Sequence, residues 1–171
     1  DTTSSNPEEA HCLLNWGVAI SGRKIAAVDT LVALEARYRP QQTLALPNHL
    51  VMPGLINAQT HALGITTRGQ TLASDFFAPS MNPAAETGPM SLDELTAAAR
   101  LAFSEMLLAG TTTCADMSPY PEQVAKAAEE AGIHAQVSVP ITDEINAWSQ
   151  SAQDGLERAL ALHDGYAHHP S

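Results

Sequence analysis

The chain has 171 residues, with 8 Lys and Arg against 19 Asp and Glu, for a formal net charge of −11. Apolar residues make up 44% and charged residues 16%, enough apolar surface to offset chain entropy, which excludes a disordered polypeptide. The acidic balance argues against nucleic acid and anionic membrane surfaces as partners, since both select clustered Lys and Arg, and no apolar run approaches the roughly 18 residues of a spanning helix.

The N-terminal residues are polar and begin with Asp1 rather than Met. They carry neither the basic start nor the apolar stretch of a signal peptide, and the start at Asp1 leads to the expectation that a few upstream residues are missing. Cys12 and Cys114 are far apart and read as reduced thiols, which points to the cytoplasm. Residues 12–20 and 25–28 read as strands joined by Ser21-Gly22-Arg23-Lys24, with the Gly that a tight hairpin needs. Residues 30–38 follow as a short helix with Leu31, Leu34 and Tyr38 on one face. Residues 43–46 suggest another short strand, stopped by Pro47. Residues 1–50 therefore read as part of a small β-rich unit, too small to bury much alone.

From there the pattern changes. Residues 50–58 are nearly all apolar, as in a strand buried on both faces, and they end in Gln59-Thr60-His61. Prolines and glycines scattered over residues 66–90 predict a long loop. Ser91-Leu92-Asp93-Glu94 is a capping box. The helix it opens is expected to bury Leu92, Leu95, Ala99, Ala102, Phe103 and Met106 until Gly110 stops it. Residues 111–117 form a β-branched strand, and Pro121 opens a second helix that Gly132 closes. Ile133, Ala135, Val137 and Val139 alternate as a further strand stopped by Pro140, and a third helix spans residues 151–163, ended by Asp164-Gly165. Buried strands alternating with helices predict an α/β class with parallel βα units over residues 51–171. A closed eight-stranded barrel takes about 250 residues, so these residues suit a small open sheet or the first part of such a barrel.

The segment Val51-Met52-Pro53-Gly54-Leu55-Ile56-Asn57-Ala58-Gln59-Thr60-His61-Ala62 resembles the start of the catalytic barrel in the amidohydrolase superfamily, where a strand ends in Pro-Gly-Leu-Ile-Asn-x-His-x-His. Ser21-Gly22-Arg23-Lys24-Ile25, Thr67-Arg68-Gly69, Glu105-Met106-Leu107-Leu108-Ala109-Gly110-Thr111-Thr112-Thr113 and Ala127-Ala128-Glu129-Glu130-Ala131-Gly132-Ile133 are similar to further segments of that superfamily. The nearest branch resembles the methylthioadenosine and S-adenosylhomocysteine deaminases, with cytosine, guanine and triazine hydrolases behind it. The resemblance implies the first three βα units of a (β/α)8 TIM barrel over residues 51–171, with part of an N-terminal β-sandwich over residues 1–50. It also implies a divalent metal, zinc or iron, at the barrel mouth. Its ligands would be two His of the first strand together with His and Asp residues of later strands, and a later Glu would shuttle protons. The implied reaction is hydrolytic deamination of an adenosine-type or other aromatic amine, a small-molecule substrate, by water attack with release of ammonia.

His61 carries over to one metal-ligand position, and Gln59 stands where the other His is usual. Residues two apart on a strand face the same side, but a carboxamide oxygen is a much weaker ligand than imidazole. The later ligands and the proton-shuttling Glu have no counterpart before Ser171, so no catalytic residue is expected within this chain, and the chain alone is expected to be inactive. A companion chain supplying the remaining barrel strands, or a homo-oligomer, would then be expected. Glu86 and Asp116 fall where the resemblance suggests substrate contacts, Cys114 reads as core, and His168-His169 as a solvated tail. Glu122, Glu129 and Glu130 read as a solvated helix face. The alternative is a non-catalytic barrel relic or interaction domain, because three strands of a barrel leave unpaired edges that invite another chain.

Overall fold

Two backbone ladders organise the chain. The computed structural model describes residues 12–69, 90–139, 141–143, 145, 146 and 148–169. The chain divides into two units, Asp1–Leu50 and Val51–Ser171.

In the first unit β1 (Trp16–Ser21) and β2 (Lys24–Thr30) pair antiparallel, with Ser21 opposite Lys24 across a two-residue turn. Thr30 ends β2 and begins α1 (Leu31–Arg37), where its hydroxyl accepts from the Ala33 amide at 3.3 Å, which supplies an acceptor for an otherwise orphaned donor. Arg37, in the last turn, reaches back to Asp29 at 2.5 Å. Two expectations fail here. Residues 12–15 lie outside β1, and residues 43–46 form no strand, leaving Leu44 and Leu46 exposed. A segment of high β propensity becomes a strand only where a partner supplies its hydrogen bonds.

The second unit is built on three parallel strands in the order β3 (Leu55–Thr60), β4 (Thr111–Asp116) and β5 (His134–Val137). A 3-10 helix (Ala62–Thr67) follows β3. The helix α2 (Leu92–Leu108) precedes β4, α3 (Pro121–Ala131) joins β4 to β5, and α4 (Ala152–Tyr166) follows β5. The box at the start of α2 is formed as expected: the Ser91 hydroxyl accepts from the Glu94 amide while the Glu94 carboxylate accepts from the Ser91 amide. Beyond α2, Gly110 takes φ +87, the left-handed conformation that ends a helix at no steric cost. The core gathers Leu63, Leu95, Ala99, Phe103, Cys114, Val124, Ala127 and Ile133, and small alanines on α2 and α3 let the two helices approach closely.

Four features of this unit depart from the sequence reading. The apolar run at 50–58 is not a strand buried on both faces: β3 begins at Leu55, and Leu55 and Ile56 are 49% and 73% exposed. The three-stranded sheet leaves them without a covering layer among the described residues. Leu92 is 56% exposed, because it opens the first turn of α2, where Leu95 and Thr96 turn inward instead. The segment read as a loop over residues 66–90 overlaps the end of the 3-10 helix at Thr66 and Thr67, and its residues 70–89 lie outside the described residues. Finally, α4 continues through Asp164-Gly165 to Tyr166, since Gly165 is not among the glycines that turn left-handed. The Pro140 stop lies outside the described residues. No helix among the described residues is long and apolar enough to cross a membrane.

Gly54 is required by proximity: a Cβ built there would lie 2.0 Å from Thr112 Oγ1 and 2.8 Å from Thr112 Cβ on the neighbouring strand. Gly54→Ala is therefore expected to lower stability by about 1–3 kcal/mol, read as an earlier urea midpoint. An unchanged midpoint would show that β3 and β4 separate freely at this point.

Cys114 is buried in β4, and that burial, reinforced by the charge of Asp116, pushes its thiol up to about 11. The native chain at pH 8 is expected to take up one equivalent of iodoacetamide at exposed Cys12 and none at Cys114, because only the thiolate reacts. A raised folded-state value also means that stability is full below the ordinary thiol value of 9.0 and is lost as pH rises toward about 11. Rapid alkylation of Cys114 before unfolding would contradict this environment.

Candidate functional site

The carboxyl end of β3 is where the sequence concentrates its candidate residues. Asn57 pairs with Cys114 and Thr60 with Asp116, so three steps along β3 match two along β4. That is a bulge, a device that re-aims side chains and is common beside active sites. Gln59 lies within the bulged stretch, exposed, with its backbone N–H donating to Asn57 Oδ1 at 3.3 Å. His61 follows the strand with φ −126 and ψ 83 and leads directly into the 3-10 helix, whose Gly64 N–H donates to the His61 carbonyl at 2.9 Å.

The neighbouring strand holds this turn in place. The Met117 amide donates to the Thr60 carbonyl at 3.0 Å, and the Ser138 amide donates to the Asp116 carbonyl at 2.7 Å, which ties the ends of the three strands together. The Asp116 side chain, 0% exposed, accepts the Ala62 amide on Oδ2 at 2.7 Å and the Ser118 amide on Oδ1 at 2.8 Å. Ser118, equally buried, accepts the Leu63 amide on its hydroxyl at 3.3 Å. Burial raises the Asp116 carboxyl above the usual carboxylate range. The Ser118 and Ala62 amides, the Ser118 hydroxyl and the neighbouring His61 pull it back down. The turn after β4 closes through Tyr120, which takes φ 58 and ψ 58 as the N-cap of α3, with Pro121 next. A left-handed conformation at a residue with a Cβ costs about 1–2 kcal/mol, so the surrounding packing enforces it.

His61 helps line an open cavity of about 420 Å³ together with Thr60, Ile65, Arg68, Glu105 and Met106, in which Arg68 and Glu105 pair at 2.7 Å. The structure thus brings His61 and Asp116 together. Gln59 is not among the residues lining that cavity, and Glu86 lies outside the described residues. His61 and Gln59 offer one imidazole and one carboxamide. Among the described residues no group of three or more His, Cys, Asp or Glu is placed to hold a metal ion. This donor set does not by itself fit zinc or iron, which take three or four strong protein ligands.

Glu122, Glu129 and Glu130 are exposed, as a solvated helix face requires, and each also has a partner. Glu122 accepts from the indole N–H of Trp148 at 3.0 and 3.1 Å, Glu130 pairs with Arg100 at 3.3 Å, and Glu129 lies 3.5 Å from His169. His169 also meets the Tyr166 ring edge-on at 5.5 Å, although it and His168 are exposed, as the solvated-tail reading expects. Trp148 is 5% exposed, with the Arg158 guanidinium 5.4 Å from its ring centre and Asn146 Oδ1 accepting its backbone amide at 2.8 Å. Sequence reasoning missed both Ser118 and this Trp148 anchor. For Ser118 a signal existed: Asp-x-Ser-Pro at a strand end suits an aspartate that caps the amide two residues on.

The sequence profile described as "Amidohydrolase family" matches residues 50–169. The 5-methylthioadenosine/S-adenosylhomocysteine deaminase of Saccharophagus degradans is 39% identical over 163 residues, covering 91% of this chain and 34% of that protein. The enzyme of the same name from Teredinibacter turnerae is 35% identical over 140 residues, covering 78% of this chain and 30% of its own length. The chain therefore spans about a third of the length of these curated relatives. Among solved structures, an adenosine deaminase from Xanthomonas campestris with bound zinc superposes with a TM-score of 0.82 at 28% identity, covering 92% of this chain and 36% of that one. A variant of atrazine chlorohydrolase from Arthrobacter aurescens, complexed with zinc and atraton, shares the fold with a TM-score of 0.70 at 22% identity, covering 90% of this chain and 39% of its own. With parallel strands ending in this turn and a family match over residues 50–169, the chain belongs to the amidohydrolase family.

Proposed function

We propose that this chain is the N-terminal segment of a cytoplasmic deaminase. In this reading Val51–Ser171 forms the first three βα units of a (β/α)8 barrel, and Asp1–Leu50 part of a β-sandwich. The complete protein hydrolyses an adenosine-type or related aromatic amine: water adds to the ring carbon that bears the amine, the carbon–nitrogen bond breaks, and ammonia leaves. The observation that carries the reading is the placement of His61. It stands at the carboxyl end of the first parallel strand, where barrel enzymes place their chemistry, in a chain whose relatives bear deaminase names. The remaining barrel strands come from further polypeptide, in cis or as a companion chain, and cover the apolar residues that β3 leaves exposed.

Within this scheme the chain's own residues hold and orient. His61 presents an imidazole, Gln59 a neutral carboxamide, and neither Asp116 oxygen is open to solvent. The chain alone is therefore inactive, and Gln59 favours a second reading in which the protein is a barrel relic or interaction domain without a competent metal site.

Zinc affinity, measured by competition with a chromogenic chelator, tests the metal-ligand assignment on which both readings draw. If Gln59 occupies a metal-ligand position, Gln59→His raises affinity about tenfold or more, because imidazole replaces a weak oxygen donor, and His61→Ala abolishes the gain. Equal affinity of the parent and Gln59→His would remove the metal-ligand assignment. Ammonia release from 5′-methylthioadenosine is expected to be absent with the 171-residue chain, and turnover by that chain would overturn the segment reading.

A further inference from the structure

Every backbone residue is oriented by the two peptide planes that flank it, and the planes flanking His61 are both tied to the neighbouring strand. The plane before it contains the Thr60 carbonyl, which accepts the Met117 amide at 3.0 Å. The plane after it contains the Ala62 amide, which donates to Asp116 Oδ2 at 2.7 Å. With both planes held, φ and ψ of His61 are set and its Cβ has one direction, so only the side-chain torsions remain free. The next amide, Leu63, is caught by Ser118 Oγ at 3.3 Å. Ser118 is itself placed by donating its own amide to the second Asp116 oxygen at 2.8 Å.

We propose that Asp116, with Ser118 behind it, is the positioning residue that aims His61, rather than a group that touches substrate. A substrate-contacting carboxylate needs an oxygen open to the cavity. Here both oxygens are spent on backbone amides of the turns after β3 and β4, and the side chain is 0% exposed. The arrangement is more specific than general packing demands. Asp116 accepts the first amide of the 3-10 helix that follows His61 and Ser118 Oγ accepts the second, where no partner inside the helix exists. A hydrogen bond to a carboxylate is also stronger than one between neutral groups, which suits a clamp on a single side chain.

The inference rests on reading His61 as the residue the site uses, and its test is spectroscopic, so it succeeds or fails independently of catalysis. Histidine-labelled 171-residue chain is compared by NMR at one pH as parent, Asp116→Ala, Ser118→Ala and Ile133→Ala. The indole signal of Trp148, held by Glu122, reports an intact fold. The expected result is displacement or broadening of the His61 Cα, Cβ and ring signals in Asp116→Ala, and a smaller displacement in Ser118→Ala, with the Trp148 signal in place. Ile133→Ala lowers stability by leaving a cavity at the opposite end of β5 and leaves the His61 signals where they were, which a merely structural role for Asp116 would also do. Should Asp116→Ala lose the Trp148 signal, Ser118→Ala decides. His61 signals that stay within a linewidth of the parent in the folded variant overturn the proposal.

Discussion

A single buried carboxylate closes the parallel sheet at the end where its candidate residues gather. Taking Asp116 out of water is costly, and the cost is offset only because its oxygens meet amide donors that the ends of β3 and β4 would otherwise leave without partners. The same side chain therefore settles several accounts of local structure together. It terminates β4, fixes Ser118, starts the 3-10 helix, and adds to the environment that keeps the Cys114 thiol protonated. Removing it would leave donors inside the protein with no acceptor, which is the more expensive half of any hydrogen-bond deletion.

Around this closure the second unit is uneven in how well it is packed. The helices α2 and α3 bury a continuous set of alanine, leucine and phenylalanine side chains against β4, whereas Leu55 and Ile56 on β3 stay largely in solvent. A parallel strand is normally covered on both faces. In the barrel-segment reading proposed above, further strands would cover these residues. The relatives' length, about three times the stretch matched here, is consistent with that account.

Local chemistry made much of this legible from the residues. Hairpin glycine, capping box, Pro121 and the glycines that end α2 and α3 each act within a few residues, and the corresponding elements stand where they were expected. Expectations that depended on distant partners fared differently. Residues 43–46 lacked a strand to pair with, and the run at 50–58 is exposed because its covering layer is not among the described residues. Glu122 is exposed as read, but nothing in its helix announces its bond to Trp148, which lies 26 residues later. At the site, the family motif located His61, and the spacing alone suggested that Gln59 shares its face. The bulge in β3 and the two peptide planes held by β4 are consequences of pairing, and no periodicity encodes them.

Whether this chain works as one part of a larger amidohydrolase, as proposed above, is tested most directly by mass. Native mass spectrometry of the protein isolated from its source, followed by denaturing spectra of the same sample, is predicted to give a species well above 18.1 kDa. It would appear either as a longer polypeptide that contains these residues or as a tight complex with the chain that completes the sheet. A folded 18.1 kDa species found alone would contradict the account.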